Sequence, residues 1–196
     1  MTRVLLSSLA VLLIGSPLSR AGDCHETVLI DSVEYRVGEI WCGKKIDSAN
    51  LADKNRLVQI PEEYCFEDYH IYVDVDARDA FVRMAEAATA DSIVLIVDSG
   101  YRSAKYQERI IGAHINEGQK FADITRYVAP PGYSDHETGR TVDIVPSDPS
   151  FARTDAYRWL VQRAGEFGFE ENFPKDTAGL SPWEPWHWTY FPENQE

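Results

Sequence analysis

The sequence predicts a single domain of the α+β class. Its length of 196 residues fits one domain. A composition with 44% hydrophobic and 26% charged residues is typical of a globular protein and excludes a disordered chain. Helical and extended patterns follow one another without a repeating strand–helix–strand order, which favours α+β over a doubly wound parallel sheet.

The first 21 residues have the pattern of a secretion signal peptide. Arg3 precedes an apolar run over residues 4–14, a break follows at residues 15–17, and Ser19 and Ala21 are small residues of the kind that signal peptidase recognises. The run is shorter than the roughly 20 apolar residues that a membrane span needs. We therefore expect an exported protein, periplasmic or extracellular at the cell wall, with no stable membrane span after cleavage. An uncleaved amphipathic helix is the alternative.

The charge balance bears on the class of partner. The chain carries 32 acidic and 19 basic side chains, a formal net charge of −13. A general nucleic-acid binder needs a basic surface, so we expect no nucleic-acid partner.

Three cysteines remain after the predicted cleavage site, namely Cys24, Cys42 and Cys65. In an oxidising compartment one disulfide is expected, and the sequence leaves all three pairings open. A zinc site built from the three thiolates is disfavoured because their spacing contains no Cys-x-x-Cys pair.

The first half of the chain predicts two strands and one long helix. Residues 27–37 alternate partially and predict a short strand that ends at Gly38. The continuous apolar, β-branched run over residues 93–97 predicts a buried strand. Between them, Asp76 or a neighbour caps a helix that extends to about Ala90, with apolar residues at helical spacing at Ala80, Phe81, Met84, Ala85 and Ala88.

The second half predicts two helices and two strands. Ser103 caps a helix over residues 104–116. Residues 141–145 and 186–191 are predicted to be strands. A further helix is expected over residues 152–166, with an inner face formed by Tyr157, Leu160, Val161 and Ala164.

Most of the unusual polar residues lie in three short stretches, residues 99–103, 134–143 and 184–187. Strand periodicity predicts that Asp143 and His187 each point away from the apolar residues next to them. His136 lies seven residues before Asp143, in a glycine-containing loop that can fold back beside it. Two imidazoles and one carboxylate, with a fourth position left open, are typical of a catalytic zinc site.

Two further residues accompany these candidate ligands. Glu184 lies between Pro182 and Pro185, a rigid approach that can hold its carboxylate over the metal as a proton carrier. Arg102 is a candidate clamp for a carboxylate or an oxyanion. Taken singly, each of these residues also fits a salt bridge, a cap or a packed side chain. Together they predict a hydrolytic metal site.

The order of the motifs Ser-Gly-Tyr-Arg-Ser, Ser-x-His-x-x-Gly-x-x-x-Asp and Glu-x-Trp-His resembles the VanY-type zinc D-alanyl-D-alanine carboxypeptidases and the related L,D-carboxypeptidases. The resemblance covers about residues 55–191. It implies a small α+β domain of the Hedgehog/DD-peptidase type, an antiparallel sheet with flanking helices. We therefore expect a signal peptide at 1–21, a segment of unclear role at 22–54 and a zinc carboxypeptidase domain at 55–196.

The resemblance also implies roles for single residues. Zinc would be held by His136, Asp143 and His187. Glu184 would act as general base and acid, and Arg102 would contact the carbonyl or carboxylate of the substrate.

Gln107 and Ser134 match positions that help hold the C-terminal end of the substrate.

The implied activity is removal of the terminal D-alanine from peptidoglycan stem peptides. The alternatives are an L,D-carboxypeptidase or an endopeptidase acting on the same stem peptides, or a zinc-binding module without turnover. The presence of Glu184 argues against the last of these.

Overall fold

The computed structural model describes residues 24–173 and 182–192. The predicted signal peptide, residues 1–21, lies outside the described residues. The strands and helices follow in the order β1 (Thr27–Ile30), β2 (Val33–Arg36), β3 (Leu57–Gln59), β4 (Tyr72–Asp74), α1 (Val75–Ala90), β5 (Val97–Ser99), α2 (Ala104–Asn116), α3 (Phe121–Ile124), β6 (Thr141–Ile144), α4 (Asp155–Arg163), β7 (Phe169–Glu171) and β8 (His187–Tyr190).

The main sheet has four antiparallel strands in the order β5-β6-β8-β7. Strands β1 with β2, and β3 with β4, form two separate antiparallel pairs. These sheets and the helices around them confirm the α+β prediction. In the main sheet Asp143 on β6 lies opposite Ser99 on β5 and His187 on β8. The register therefore brings the three polar stretches of the sequence together.

Helix α1 packs against the main sheet. Asp74 is its N-cap and accepts a hydrogen bond from the Asp76 amide at 3.0 Å, so the helix begins slightly before the predicted position. All five residues predicted for its inner face are buried. Phe81 meets Phe169 of β7 edge to face, with ring centroids 6.3 Å apart. This contact ties the helix to the strand beside β8.

The prediction of one strand over residues 27–37 was wrong. The segment is a hairpin, because Asp31 and Ser32 adopt φ values of 48° and 67° and reverse the chain between β1 and β2. The strand predicted over 93–97 is also shorter and later, at Val97–Ser99. Val94 is 69% exposed, since the residues before Val97 only lead the chain from α1 into the sheet.

The third predicted helix was too long and its inner face was partly wrong. Thr154 caps α4 by accepting a hydrogen bond from Tyr157, so the helix begins at Asp155. Val161 is 56% exposed, and the indole of Trp159 is buried instead and donates to Asp91 at 2.8 Å.

The N-terminal segment is closed by a disulfide between Cys24 and Cys42, with Cα atoms 5.8 Å apart. Cys65 is a buried free thiol. These findings decide among the pairings that the sequence left open.

Within the described ranges, every helix is too short or too polar to cross a membrane.

Candidate metal centre

Three side chains from different parts of the fold converge on one point. His136 comes from a 3-10 turn over residues 135–138, Asp143 from β6 and His187 from β8. Their candidate ligand atoms lie within 4.8 Å of one another. The three residues are 0%, 7% and 4% exposed, respectively. The fold therefore assembles the His–Asp–His set that the sequence predicts.

The environment of His136 defines which of its nitrogens is free. Nδ1 lies 2.6 Å from the carbonyl oxygen of Gly100, and since a carbonyl only accepts, Nδ1 is the donor. Burial lowers the pKa of His136 to about 4 although Asp143 opposes the shift, so the ring is neutral at neutral pH. Its Nε2 therefore presents a lone pair.

That lone pair faces a second acceptor. Nε2 of His136 lies 3.1 Å from Oδ2 of Asp143, and within the described part of the chain it has no hydrogen-bond partner. The flanking imidazoles hold the pKa of Asp143 well below its usual range although burial opposes them. Two buried acceptors that face each other are unfavourable unless a cation lies between them. The donors present fit a divalent metal such as zinc.

His187 completes the set from the other side of Asp143. Its Nδ1 lies 3.0 Å from Oδ1 of Asp143, and its Nε2 lies 3.7 Å from Oδ2 of Asp135. Burial alone would lower the pKa of His187, but Asp135, Asp143 and the charge of Glu184 raise it to about 9. The surrounding carboxylates thus favour positive charge at this position.

Asp135 is a site residue to which sequence reasoning gave no role. It accepts a hydrogen bond from Asn172 at 3.1 Å and faces the far nitrogen of His187. Carboxylates in this position orient the histidine ligands of metals. The only signal in the sequence is that Asp135 precedes His136 within the second polar stretch.

Glu184 and Arg102 flank the three convergent side chains. Oε2 of Glu184 lies 3.8 Å from Nδ1 of His187, and burial raises the pKa of this carboxyl group. Nη2 of Arg102 lies 3.6 Å from Oδ2 of Asp143. The Nε of Arg102 is buried without a hydrogen-bond partner among the described residues. A carboxyl group with a raised pKa and a guanidinium thus both lie close to the three convergent side chains.

Gln107 and Ser134 are both buried in the wall of an adjacent pocket of about 100 Å³, which Arg102 and Glu184 also line. The Nε2 of Gln107 donates to the carbonyl oxygen of Ala129 at 2.8 Å. Its Oε1 has no partner within the described ranges and is left as an acceptor. Glutamines are commonly exposed on helices, so the burial of Gln107 supports a role at the pocket.

The arrangement suits metal-assisted hydrolysis. Two imidazoles and one carboxylate leave a metal with an open coordination position. A carboxyl group with a raised pKa can carry a proton, and a guanidinium can stabilise a developing negative charge. Arg102, Glu184 and both histidines line the pocket described above, and Asp143 lies on strand β6.

Gly100 has no room for a side chain, because residues 71–73 pack directly against its Cα atom. Its substitution should therefore weaken both the fold and the metal centre. A Cβ at residue 100 would lie 2.7 Å from Cγ2 of Ile71 and 2.7 Å from the carbonyl oxygen of Tyr72. The Gly100→Ala variant should lose about 1–3 kcal/mol of unfolding free energy. It should also bind metal more weakly, because the Gly100 carbonyl orients His136.

Urea unfolding and metal titration measure both effects. Gly38→Ala is the matched control, since a Cβ there has no atom within 4 Å among the described residues. Equal stability and equal metal affinity in the two variants would contradict the prediction.

A family model described as "VanY: D-alanyl-D-alanine carboxypeptidase" matches residues 70–193. A D-alanyl-D-alanine carboxypeptidase of Enterococcus faecalis (strain ATCC 700802 / V583) is 32% identical over 151 residues, which cover 69% of this chain and 56% of the relative. The putative carboxypeptidase YodJ of Bacillus subtilis (strain 168) is 32% identical over 143 residues, 67% of this chain and 52% of the relative. The chain spans about half the length of these curated relatives.

Solved structures are similar as well. The LdcB LD-carboxypeptidase has a TM-score of 0.68 and 26% identity, covering 86% of this chain and 85% of that one. VanYB in complex with D-alanine-D-alanine has a TM-score of 0.52 and 30% identity over 72% of this chain and 85% of that one. A variant of the D,D-pentapeptidase VanY in complex with Zn(II) has a TM-score of 0.51 and 28% identity, covering 71% of this chain and 85% of that one.

Proposed function

The chain belongs to the VanY family of D-alanyl-D-alanine carboxypeptidases, and on this basis we propose that it is a zinc-dependent enzyme that removes the terminal D-alanine from peptidoglycan stem peptides. The observation that carries the proposal is the neutral His136 Nε2 facing the carboxylate of Asp143 at 3.1 Å. This buried arrangement calls for a cation. The Zn(II) complex of a VanY relative supports zinc as that cation.

The zinc ligands in this proposal are Nε2 of His136, the carboxylate of Asp143 and Nδ1 of His187. When bound, zinc supplies Lewis-acid polarisation of the scissile carbonyl and makes water a nucleophile at neutral pH. The carboxylate of Asp135, 3.7 Å from Nε2 of His187, is proposed to hold this imidazole through its charge. The Gly100 carbonyl orients His136 by accepting the hydrogen bond from its Nδ1.

Glu184 is the proposed general base and acid. Its carboxyl group has a raised pKa because it is buried, and it lies next to His187, where an attacking water would be deprotonated. The same group then delivers the proton to the departing amine nitrogen. Arg102, with a buried and unpartnered Nε, donates to the carbonyl or terminal carboxylate oxygen of the substrate.

Gln107 and Ser134 are proposed to hold the departing residue. Both line the pocket next to the metal centre. The unpartnered Oε1 of Gln107 is an acceptor for a substrate N–H group, because its Nε2 is already used by Ala129.

We place the catalytic domain at residues 55–196 and the signal peptide at 1–21. The cell-wall setting follows from the proposed substrate, and export remains part of the proposal.

A second candidate is L,D-carboxypeptidase activity on tetrapeptide stems. The higher TM-score and coverage of the LdcB structure, 0.68 over 86% of this chain, favour it. For VanYB the values are 0.52 and 72%. The same residues would serve both reactions, since the departing group is a D-alanine in each.

Mass spectrometry of the products tests the proposal and separates the two candidates. The zinc-loaded protein is incubated with pentapeptide and tetrapeptide stems, with and without a chelator. We expect loss of D-alanine from the pentapeptide and complete loss of activity after metal removal, with recovery when zinc is restored.

Cleavage of the tetrapeptide alone would move the assignment to an L,D-carboxypeptidase. Cleavage within the stem would indicate an endopeptidase. Bound zinc without cleavage of either peptide would indicate a binding module, and activity that survives chelation would refute the metal mechanism.

A further inference from the structure

The wall of the pocket includes a residue from outside the family match. Trp41 ends a 3-10 turn over Glu39–Trp41, whereas the match begins at residue 70. Trp41 is 8% exposed and lines the same pocket as Gln107 and Ser134. The N-terminal segment therefore contributes directly to the space beside the metal centre.

Trp41 is held in place by strong local restraints. The disulfide between Cys24 and Cys42 closes the chain immediately after it. Its Nε1 donates to the carbonyl oxygen of Thr125 at 2.6 Å. A large aromatic ring held in this way acts as a fixed wall rather than an adaptable one.

The neighbouring pocket residue is tied to the same segment. Tyr133 packs in one apolar cluster with Trp41, and its hydroxyl donates to Oε2 of Glu26 at 2.6 Å. The other oxygen of Glu26 accepts from the amide of Gly43 at 3.1 Å. Glu26 thus links Tyr133 to the residue that follows the disulfide.

The residues that line the pocket are of two chemical kinds. The metal-centre residues with Gln107 and Ser134 are polar, whereas Trp41, Val128 and Tyr133 are apolar. A terminal amino acid has a polar carboxylate and a side chain. The guanidinium of Arg102 suits the carboxylate, which leaves the side chain to the apolar residues.

The adjoining space indicates which part of the substrate enters this pocket. A second pocket of about 390 Å³ shares Arg102 and Glu184 with the first, whose volume is about 100 Å³. A continuing peptide chain needs the larger space, whereas a single departing residue needs only the smaller one. The scissile bond then lies between them, over the metal centre.

We propose that Trp41 is a specificity-determining residue that limits the side chain of the departing residue to a small one such as the methyl group of D-alanine. The inference deepens the proposed function and depends on it. It also gives the N-terminal disulfide-closed segment a role, which is to hold the wall in place.

The test is a series of stem peptides that end in D-alanine, D-valine or D-leucine. Trp41→Ala should raise the ratio of kcat/KM for D-leucine to that for D-alanine by at least about tenfold. Trp41→Phe keeps an aromatic wall and should stay near the natural ratio. Leu29→Ala is the control, since Leu29 is 61% exposed on β1 of the same segment and does not line the pocket.

Two further measurements distinguish direct contact of Trp41 with the substrate side chain from a purely structural role of this residue. Binding of free D-leucine relative to D-alanine, measured calorimetrically on the zinc-loaded protein, should rise in Trp41→Ala in parallel with the kinetic ratio. The double variant Cys24→Ser, Cys42→Ser should also raise the kinetic and the binding ratio of D-leucine to D-alanine, by a smaller factor than Trp41→Ala.

An unchanged ratio in a folded, zinc-loaded Trp41→Ala variant would overturn the inference while leaving the proposed function intact. If the natural chain cleaves none of the peptides, the proposed function fails. The ratio of D-leucine to D-alanine binding then still decides whether Trp41 limits the size of the side chain that the pocket accepts.

Discussion

Replacing Glu184 with glutamine should lower kcat by about 10²–10⁴-fold and leave zinc binding unchanged. The carboxamide has the shape of the carboxylate but cannot take a proton from water or return one to a leaving amine. Glu184 lies 3.8 Å from Nδ1 of His187, and its burial raises the pKa of its carboxyl group. Both observations suit a proton carrier beside the metal better than a ligand.

The measurement combines the rate of D-alanine release with the zinc content determined by elemental mass spectrometry. Glu170→Gln is the matched control, because Glu170 is an exposed glutamate on β7. It should retain full activity. Full turnover in Glu184→Gln would refute its role as base, and loss of zinc from that variant would make Glu184 a ligand instead.

Replacing His136 with alanine should remove both the metal and the activity, down to the level of the chelator-treated protein. The side chain is fully buried and its Nε2 points at Asp143. Its loss takes away one of the three proposed ligands and leaves the carboxylate of Asp143 without one of its two imidazole neighbours. Because a metal bound only by the native state stabilises the fold, its loss should also lower the melting temperature.

Zinc stoichiometry, activity and thermal unfolding are measured together. His114→Ala is the control, since His114 is a partly exposed residue of α2 that pairs with Glu117 at 3.7 Å. It should keep zinc, activity and melting temperature. One tightly bound zinc per chain in His136→Ala would show that this histidine is not a ligand.

Local rules were sufficient to predict the helices that support the site. Caps and 3.6-residue spacing predicted α2 at its actual bounds and α1 to within a residue or two of its start. The same rules failed at residues 27–37, where alternation continues through a turn and cannot reveal the reversal at Asp31 and Ser32. They also placed Val161 inside, because spacing alone does not decide which neighbour of Leu160 is covered, and the indole of Trp159 is the one that packs inward and donates to Asp91.

The candidate ligands were predictable because strand alternation fixes the side on which Asp143 and His187 lie, and the register of β6 with β8 then pairs them. Asp135 and Trp41 were not predictable in the same way. Each reaches the site through a contact between distant segments, with His187 in one case and Thr125 in the other. No local pattern encodes such contacts. The disulfide pairing was open for the same reason.

The position of β8 in the sheet couples assembly of the candidate metal centre to the completion of folding. Among the described strands β8 is the last in chain order, yet it lies between β6 and β7. It carries His187, and the turn before it carries Glu184. Since β7 pairs only with β8 among the described strands, both the edge of the sheet and the candidate metal centre remain incomplete until β8 pairs. The chain then gains one proposed ligand and the proposed base, so the centre is assembled only together with the native sheet.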